Sequence, residues 1–303
     1  GSGSTVRSIA SSSAWLGRQP GVRQRMQRMQ PEQPEPPVTA GGDLASRPVN
    51  TWRDGELGAN RDTLADETPV ALVYNCVSHA VMMASAADLE DFALGFSLGE
   101  GIVEYPGQIY DIEVRDCEQG IELRIALASD RLAALKDRRR FLAGQSGCGL
   151  CGVESLDYFT APLPTVTAGA RVSHRAIQRA LAALPDRQRL GGVTGGMHVA
   201  AWCDPEGDIL LLREDVGRHN ALDKLVGALA ARRESRPPGF ALVSSRASYE
   251  LVQKAAKADM AVLVAVSAAT TRAVDTAAQC GMTLVGFARP GRQVVYTGAE
   301  RLY

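Results

Sequence analysis

The run Gly144-Gln-Ser-Gly-Cys-Gly-Leu-Cys-Gly152 sets two thiols, Cys148 and Cys151, three residues apart between glycines. That spacing lets them close a disulfide or share one soft ligand, and glycines at 144, 147, 149 and 152 lift the Cβ restraints that would hold the loop in one shape. Three chemistries compete. A structural zinc site needs four ligands, typically from a second close pair, and here only Cys203 with His198 offers an improvised substitute. A thioredoxin-like motif sits where a strand enters a helix whose N-terminus lowers the first thiol's pKa, but this pair is flanked by glycines. In sulfur carriage a thiolate takes the outer sulfur of a persulfide, and a neighbouring thiol helps to release it by closing a disulfide. Paired thiols on a loop expected to move, preceded by Arg131, Lys136, Arg138, Arg139 and Arg140, fit this third chemistry best.

A second group of residues points to phosphate. The segments Arg213-Glu-Asp-Val-Gly-Arg-His219, Ser244-Ser-Arg-Ala-Ser248, Ser267-Ala-Ala-Thr-Thr271 and Ala288-Arg-Pro-Gly-Arg292 each follow an expected strand. They share hydroxyls, small residues and arginines. In an open α/β sheet, ligands bind beyond the carboxyl ends of the strands. Backbone N–H groups at helix starts, joined by guanidinium forks, suit a phosphate-bearing ligand there. Glu214 and Asp215 are too few to pair Arg213, Arg218, Arg246, Arg289 and Arg292. His219 reads as a base, a phosphate donor or a histidine held by its neighbours, His198 as structural, and His79 and His174 as surface or turn residues.

The elements that must hold these residues fall into two lobes. Residues 1–47 read as a disordered tail, with Gln30-Pro-Glu-Gln-Pro-Glu-Pro-Pro37 barred from helix or central strand, and order is expected from about Val49. The first lobe, 48–165, is a smaller α+β unit ending in the Cys-x-x-Cys loop. Strands are expected at 69–74 and 79–84, a helix capped by Asp88, a strand pair at 109–114 and 121–127, and a helix over about 130–141. The second lobe, 166–303, opens with a helix from Ser173 to about Pro185 and a hairpin at 197–203 and 209–212. Helices from about 217, at 249–258 and at 271–280 then alternate with strands at 240–243, 260–266 and 282–287. That order predicts an α/β lobe with a mostly parallel, two-sided sheet.

Composition narrows the class further. At 303 residues and 45% apolar, the chain can bury a large core, while a net charge of −1 supplies no field for nucleic acid or a membrane. No run nears the roughly 20 apolar residues of a membrane span. The serine-broken start does not read as a secretory signal, and its acid-free, Arg- and Ser-rich character suits a solvated arm better than a transit peptide. The cysteines outside the pair (76, 117, 203 and 280) are isolated, as in a reducing cytoplasm.

Taken together, Cys148-Gly-Leu-Cys-Gly152, Glu214-Asp-Val-Gly-Arg-His219 with Ala221-Leu-Asp-Lys224, and Val243-Ser-Ser-Arg-Ala-Ser-Tyr-Glu250 resemble the formate dehydrogenase accessory sulfurtransferases of the FdhD family. Ala265-Val-Ser-Ala-Ala-Thr-Thr271, Leu284-Val-Gly-Phe287 with Pro290-Gly-Arg292, and the earlier runs 69–75 and 92–98 extend the likeness over roughly 48–303. The resemblance implies a sulfur carrier that accepts persulfide sulfur from a cysteine desulfurase of the IscS type. It passes the sulfur to the molybdenum bis(molybdopterin guanine dinucleotide) cofactor, as formate dehydrogenase requires. It also implies Cys148 as carrier, Cys151 as helper, and a cofactor segment of Phe287, Ala288, Arg289, Pro290, Gly291 and Arg292. These join Arg218, His219, Ser245 and Arg246 from the phosphate reading, and a guanine nucleotide is expected to occupy the same site. A homodimer, a cytoplasmic location and a cytidine-deaminase-like C-terminal lobe are implied as well. Deaminase activity is not, because His198-Val-Ala200 lacks the glutamate and no Pro-Cys-x-x-Cys follows. Arg213 and Ala288 depart from residues common in relatives, histidine and cysteine respectively. Two rivals remain open: a non-catalytic chaperone that holds the cofactor for the dehydrogenase, and a zinc-stabilised adaptor.

Overall fold

Val70, Leu72 and Tyr74 alternate with Pro69, Ala71 and Val73, and that period of two builds the first sheet. The computed structural model describes residues 44–132, 135, 162–167, 169–232 and 235–303. Strands β1 (Leu44–Arg53) and β2 (Glu56–Ala65) form a two-stranded ribbon, so the tail boundary at 47 falls inside β1. Its turn, Asp54-Gly55, has positive φ at both residues (52° and 96°), as a two-residue hairpin requires. Strands β3 (Thr68–Tyr74), β4 (Val77–Ala84), β5 (Ile109–Cys117) and β6 (Gly120–Leu127) form a sheet ordered β4-β3-β6-β5. Helix α1 (Leu89–Gly99) covers one face, burying Leu89, Phe92, Ala93 and Phe96 against Val70, Leu72, Leu123 and Ile125. His79, expected at the surface, instead stands edge-on to the Tyr74 and Phe96 rings. Of the helix expected at 130–141, residues 129–132 and 135 are described as helical.

The second sheet has the order β12-β11-β10-β9-β7-β8. Its strands are β7 (His198–Cys203), β8 (Ile209–Asp215), β9 (Phe240–Val243), β10 (Val262–Ala265), β11 (Thr283–Arg289) and β12 (Arg292–Thr297). Helix α2 (His174–Arg187) packs on one face. It runs past Pro185, because a proline in the last turn forfeits only one helical hydrogen bond. The short α3 (Gly191–Thr194) follows, and α4 (Arg218–Ala230), α5 (Tyr249–Lys257) and α6 (Thr271–Gln279) cover the opposite face.

The expectation of a mostly parallel sheet is corrected. Only β9–β10 and β10–β11 pair in parallel, while β7–β8, β7–β9 and β11–β12 are antiparallel. The β7–β8 hairpin inserts β7 beside β9, and β12 returns through the two-residue turn Pro290-Gly291, a connection only an antiparallel pair allows. Strands β8, β9, β10 and β11 nevertheless run the same way, so their carboxyl ends share one edge.

Helices α1 and α4 join the two layers by backbone contact. A Cβ on Gly95 would lie 1.7 Å from Asp223 O, and one on Gly227 would lie 1.9 Å from Asp91 O. Buried charge spans the same seam. Lys224 Nζ meets Asp215 Oδ2 at 2.7 Å, with both side chains wholly buried, and donates to Ser85 Oγ at 2.8 Å. Lys254 Nζ donates to Asp223 Oδ1 and to Glu100 Oε1, each at 2.8 Å. Among the described residues no helix is long and apolar enough to cross a membrane.

Candidate functional site

The shared edge is built by strand ends and helix starts. Strand β8 ends at Asp215, whose Oδ1 accepts Gly217 N (2.8 Å) and Asn220 Nδ2 (2.9 Å) and so bends the chain into α4. Arg218 and His219 therefore begin the helix at the mouth of the edge. Helices α5 and α6 start beside them at Tyr249 and Thr271. Three helix N-termini then direct their partial positive charge to one side of the sheet.

Arg218 Nε and His219 Nε2, neighbours at the start of α4, are buried atoms with no hydrogen bond in the structure, as is Ser248 Oγ at the start of α5. Glu250 Oε2 lies 3.8 Å from His219 Nε2, beyond hydrogen-bond reach. Buried polar atoms are normally satisfied, so such a pair marks where a ligand's acceptors belong. Burial first, and then the Arg218 charge, pushes the His219 imidazole down to about 4. The same two causes, in the same order, lower the pKa of His198, whose Nδ1 lies 3.4 Å from Ser244 Oγ. His198 thus belongs to the edge rather than to the structural interior.

The expected residues divide sharply. Arg218, His219, Ser245 and Arg246 lie along the edge, with Ser245 buried (its Oγ donates to Arg246 O at 3.0 Å) and Arg246 exposed. Phe287, Arg289, Pro290, Gly291 and Arg292 form the β11–β12 turn, which runs past the end of β10. Phe287 takes φ 48° at a bulge, a conformation rare for a bulky side chain. The Arg292 guanidinium lies 5.9 Å from its ring centre. Ala288 is corrected: its side chain is fully buried in the core beside α2 and offers a ligand only backbone. The Gly291 amide is already taken, donating to Gln178 Oε1 at 2.8 Å.

Arg213 also leaves the site, since its guanidinium pairs with Asp91 at 2.7 Å. Glu214 accepts the amides of Arg189, Leu190 and Gly191. Arg131, counted among the basic residues before the thiols, pairs with Glu104 at 2.8 Å. Cys148 and Cys151 lie outside the described residues. His198 and Cys203 stand at opposite ends of β7 and cannot share a zinc ion. Among the described residues no three His, Cys, Asp or Glu side chains gather as a metal site.

Four interstrand steps separate β8 from β11, about 19 Å at 4.8 Å each. Arg218 and Arg292 therefore cannot grip one phosphate. They stand at two separate ends of the edge. Sequence reading missed Glu250 and the Tyr249–Arg272 pair, whose guanidinium sits 5.0 Å from the ring centre. The signal was present, since Tyr249 and Glu250 directly follow Ser244-Ser-Arg-Ala-Ser248.

The depressed pKa makes a pH prediction. Between about pH 6.5 and 4 the unfolded chain binds a proton at His219 that the folded chain refuses, so the contribution of His219 to stability falls as pH drops through that window, opposite in sign to that of Asp223, whose pKa burial raises to about 6. The loss is on the order of 3 kcal/mol. His219→Gln is expected to flatten this slope in urea unfolding series at stepped pH.

Comparison with known proteins agrees with this architecture. The family model described as the FdhD/NarQ family matches residues 65–303. A relative from Cupriavidus necator, the sulfur carrier protein FdhD, is 53% identical over 254 residues, covering 84% of this chain and 88% of its own. A crystal structure from Desulfotalea psychrophila, provisionally named a formate dehydrogenase accessory protein, superposes with a TM-score of 0.67 at 22% identity. It covers 86% of this chain and all of its own. With the family match spanning most of its length and a half-identical relative beside it, the chain belongs to the FdhD/NarQ family.

Proposed function

We propose that this protein is a sulfur carrier in formate dehydrogenase maturation. The observation that carries the reading is the 53% identity to a protein named as such, in a chain that has the Cys148–Cys151 pair. In this reading the Cys148 thiolate attacks the outer sulfur of a desulfurase persulfide. The S–S bond there breaks, the desulfurase thiolate leaves, and Cys148 holds the persulfide. On delivery, the Cys151 thiolate attacks the inner sulfur. The outer sulfur departs as sulfide to the molybdenum, the two cysteines close a disulfide, and a cellular dithiol resets them.

The bis(molybdopterin guanine dinucleotide) cofactor is the bound substrate, and a free guanine nucleotide competes for the same edge. Arg218 and His219 would serve one end, the Phe287–Arg292 turn the other, and Ser245 and Arg246 the span between. The unsatisfied Arg218 and His219 atoms and the length of the edge support this fit. The protein acts in the cytoplasm, as a homodimer, with an IscS-type desulfurase as donor. The hairpin followed by alternating helices and strands also supports a cytidine-deaminase-like descent for the C-terminal lobe, without its chemistry.

Mass spectrometry after incubation with desulfurase and cysteine tests the carrier. The wild type is expected to gain one sulfur and Cys148→Ala none. A gain that survives the substitution overturns the assignment. Cys148→Ala should retain nucleotide binding yet fail to activate formate dehydrogenase, and activation by that variant would instead support the chaperone.

A further inference from the structure

Strand β11 ends in a strained turn that a neighbouring helix tethers. Phe287 holds φ 48° at the bulge, Pro290 has no N–H to give, and Gly291 sits at φ 73°. Strain of this kind persists where the surroundings hold it. Here they include helix α2. Ser173 caps that helix, accepting Ala176 N at 3.0 Å, so His174 and Gln178 stand one turn apart on one face. Gln178 Oε1 accepts the Gly291 amide at 2.8 Å. Its Nε2 donates to Gln293 Oε1 at 3.1 Å, with Arg292 O farther off at 3.5 Å. The other end of Gln293 meets His174, Nε2 lying 2.7 Å from Nδ1.

The first link fixes the direction of this chain of hydrogen bonds. A backbone N–H can only donate, so the Gln178 atom facing Gly291 is the carbonyl oxygen. The other end of Gln178 is then an NH2 group, which needs the Gln293 oxygen, and the Gln293 NH2 in turn needs a lone pair. Nδ1 of a neutral His174 supplies it, with the ring proton on Nε2. An imidazolium carries N–H at both nitrogens and has no lone pair. Charging His174 therefore sets two donors face to face, and turning Gln293 over only moves the conflict to Gln178. Turning Gln178 as well aims its NH2 at the Gly291 N–H. No arrangement of the two amides satisfies Gly291 and a charged His174 together. The glutamines are half-buried and His174 is exposed, so solvent protons reach the ring. Charged groups come from every element around it: Arg175 and Arg179 on α2, the latter paired with Asp208, Arg171 ahead of the helix, and Arg289 and Arg292 at the turn. Arg301, paired with Glu300, adjoins the end of the chain at Tyr303, whose main-chain oxygen accepts His174 N at 2.8 Å. All of these are common to the wild type and the variants below.

We propose that Gln178 is a positioning residue, which through Gln293 and a neutral His174 holds the Pro290–Gly291 turn in place and releases it when His174 takes a proton. The consequence rests on the reading above, in which the Phe287–Arg292 turn carries one end of the cofactor, but the hydrogen bonds are tested without ligand. In the full chain, NMR reads the charge on the His174 ring, and hydrogen exchange reads the Gly291 amide against its free-chain rate at each pH. Protection of Gly291 in the wild type is expected to fall about fivefold as His174 charges, the loss of one ordinary hydrogen bond. Gln178→Ala should show the lower protection at every pH. In Gln178→Glu the carboxylate accepts from both Gly291 and Gln293, so Gln293 turns its oxygen to His174 and favours the imidazolium. Gly291 should then stay protected throughout, and the charged-to-neutral ratio of His174 at pH 7 should rise at least about threefold over the wild type. Adding Gln293→Ala should cancel that rise, which a through-space charge effect would survive. Affinity for guanosine diphosphate should weaken about fivefold in the wild type as His174 charges, and in Gln178→Glu it should not change over that span. Gly291 exchange indifferent to the charge on His174, or a rise that survives Gln293→Ala, overturns the chain of bonds. Nucleotide affinity that ignores an intact chain overturns the positioning role. A wild type that binds no guanosine diphosphate at any pH overturns the cofactor edge, and the positioning role with it, but not the bonds.

Discussion

Lys224→Met is expected to cost about 3–5 kcal/mol of unfolding free energy, the usual penalty for removing one partner of a buried ion pair. The Asp215 carboxylate would keep its place with no cation. Its Oδ2 takes Lys224 Nζ at 2.7 Å, Ser85 N at 3.0 Å and Ser85 Oγ at 3.2 Å, and both charged side chains have no exposed surface. The effect should reach the edge as well. Oδ1 of the same carboxylate fixes Gly217 and Asn220, and a carboxylate that shifts in search of water slackens the turn presenting Arg218 and His219. Equilibrium urea unfolding reads the first effect, and affinity for the proposed guanine nucleotide ligand reads the second. Adding Asp215→Asn should recover part of the stability, because the isolated charge is then gone. A single variant within 1 kcal/mol of wild type would show that the pair is not dry.

This network explains why the sequence near 213–224 was half legible. Arg213-Glu-Asp-Val-Gly-Arg-His219 reads as a row of ligand contacts, yet three of its charges, Arg213, Glu214 and Asp215, are held within the protein. Their partners, Asp91, Ser85 and the 189–191 amides, come from distant stretches that no local pattern connects. Arg218 and His219 remained at the edge because the Gly217 turn delivers them there. Elements with a strong period came through well: Phe240–Val243 matched residue for residue, and Ser173 and Thr270 cap their helices with side-chain bonds to Ala176 N and Ala273 N. Asp88 kept its boundary but not its role, since it takes a left-handed conformation without a capping bond. Ribbon β1–β2 was missed because its arms lack apolar alternation, leaving Asp54-Gly55 as the only hairpin signal. Strand β12 was missed because its first residue, Arg292, was read as the end of a ligand segment and 293–297 were assigned to no element. A helix–strand alternation fixes the order of elements, but not which side of β9 the β7–β8 hairpin takes, and that choice turned a parallel sheet into a mixed one.

The helix seam permits a prediction whose sign separates two physical accounts. Intrinsic propensity says that alanine in place of a mid-helix glycine stabilises by up to about 1 kcal/mol. At Gly95 the opposite is expected. The new Cβ would lie 1.7 Å from Asp223 O, 2.6 Å from Asp223 C and 2.8 Å from Gly227 N, all of them backbone atoms of α4. No flexible side chain can yield there, so α1 and α4 must move apart and loosen the contacts around Lys254, Asp223 and Glu100. Overpacking of well-filled interiors costs about 1–3 kcal/mol. A backbone-to-backbone clash belongs at or above the top of that range, and Gly227→Ala should behave alike, its Cβ falling 1.9 Å from Asp91 O. Gly58, in strand β2 with nothing within 4 Å of its would-be Cβ, serves as the control, and alanine there should be nearly neutral. Thermal and urea unfolding of the three variants gives the answer. If Gly95→Ala unfolds at or above the wild-type midpoint, helix propensity outweighs packing at this crossing and α1 does not sit on α4 backbone to backbone in solution.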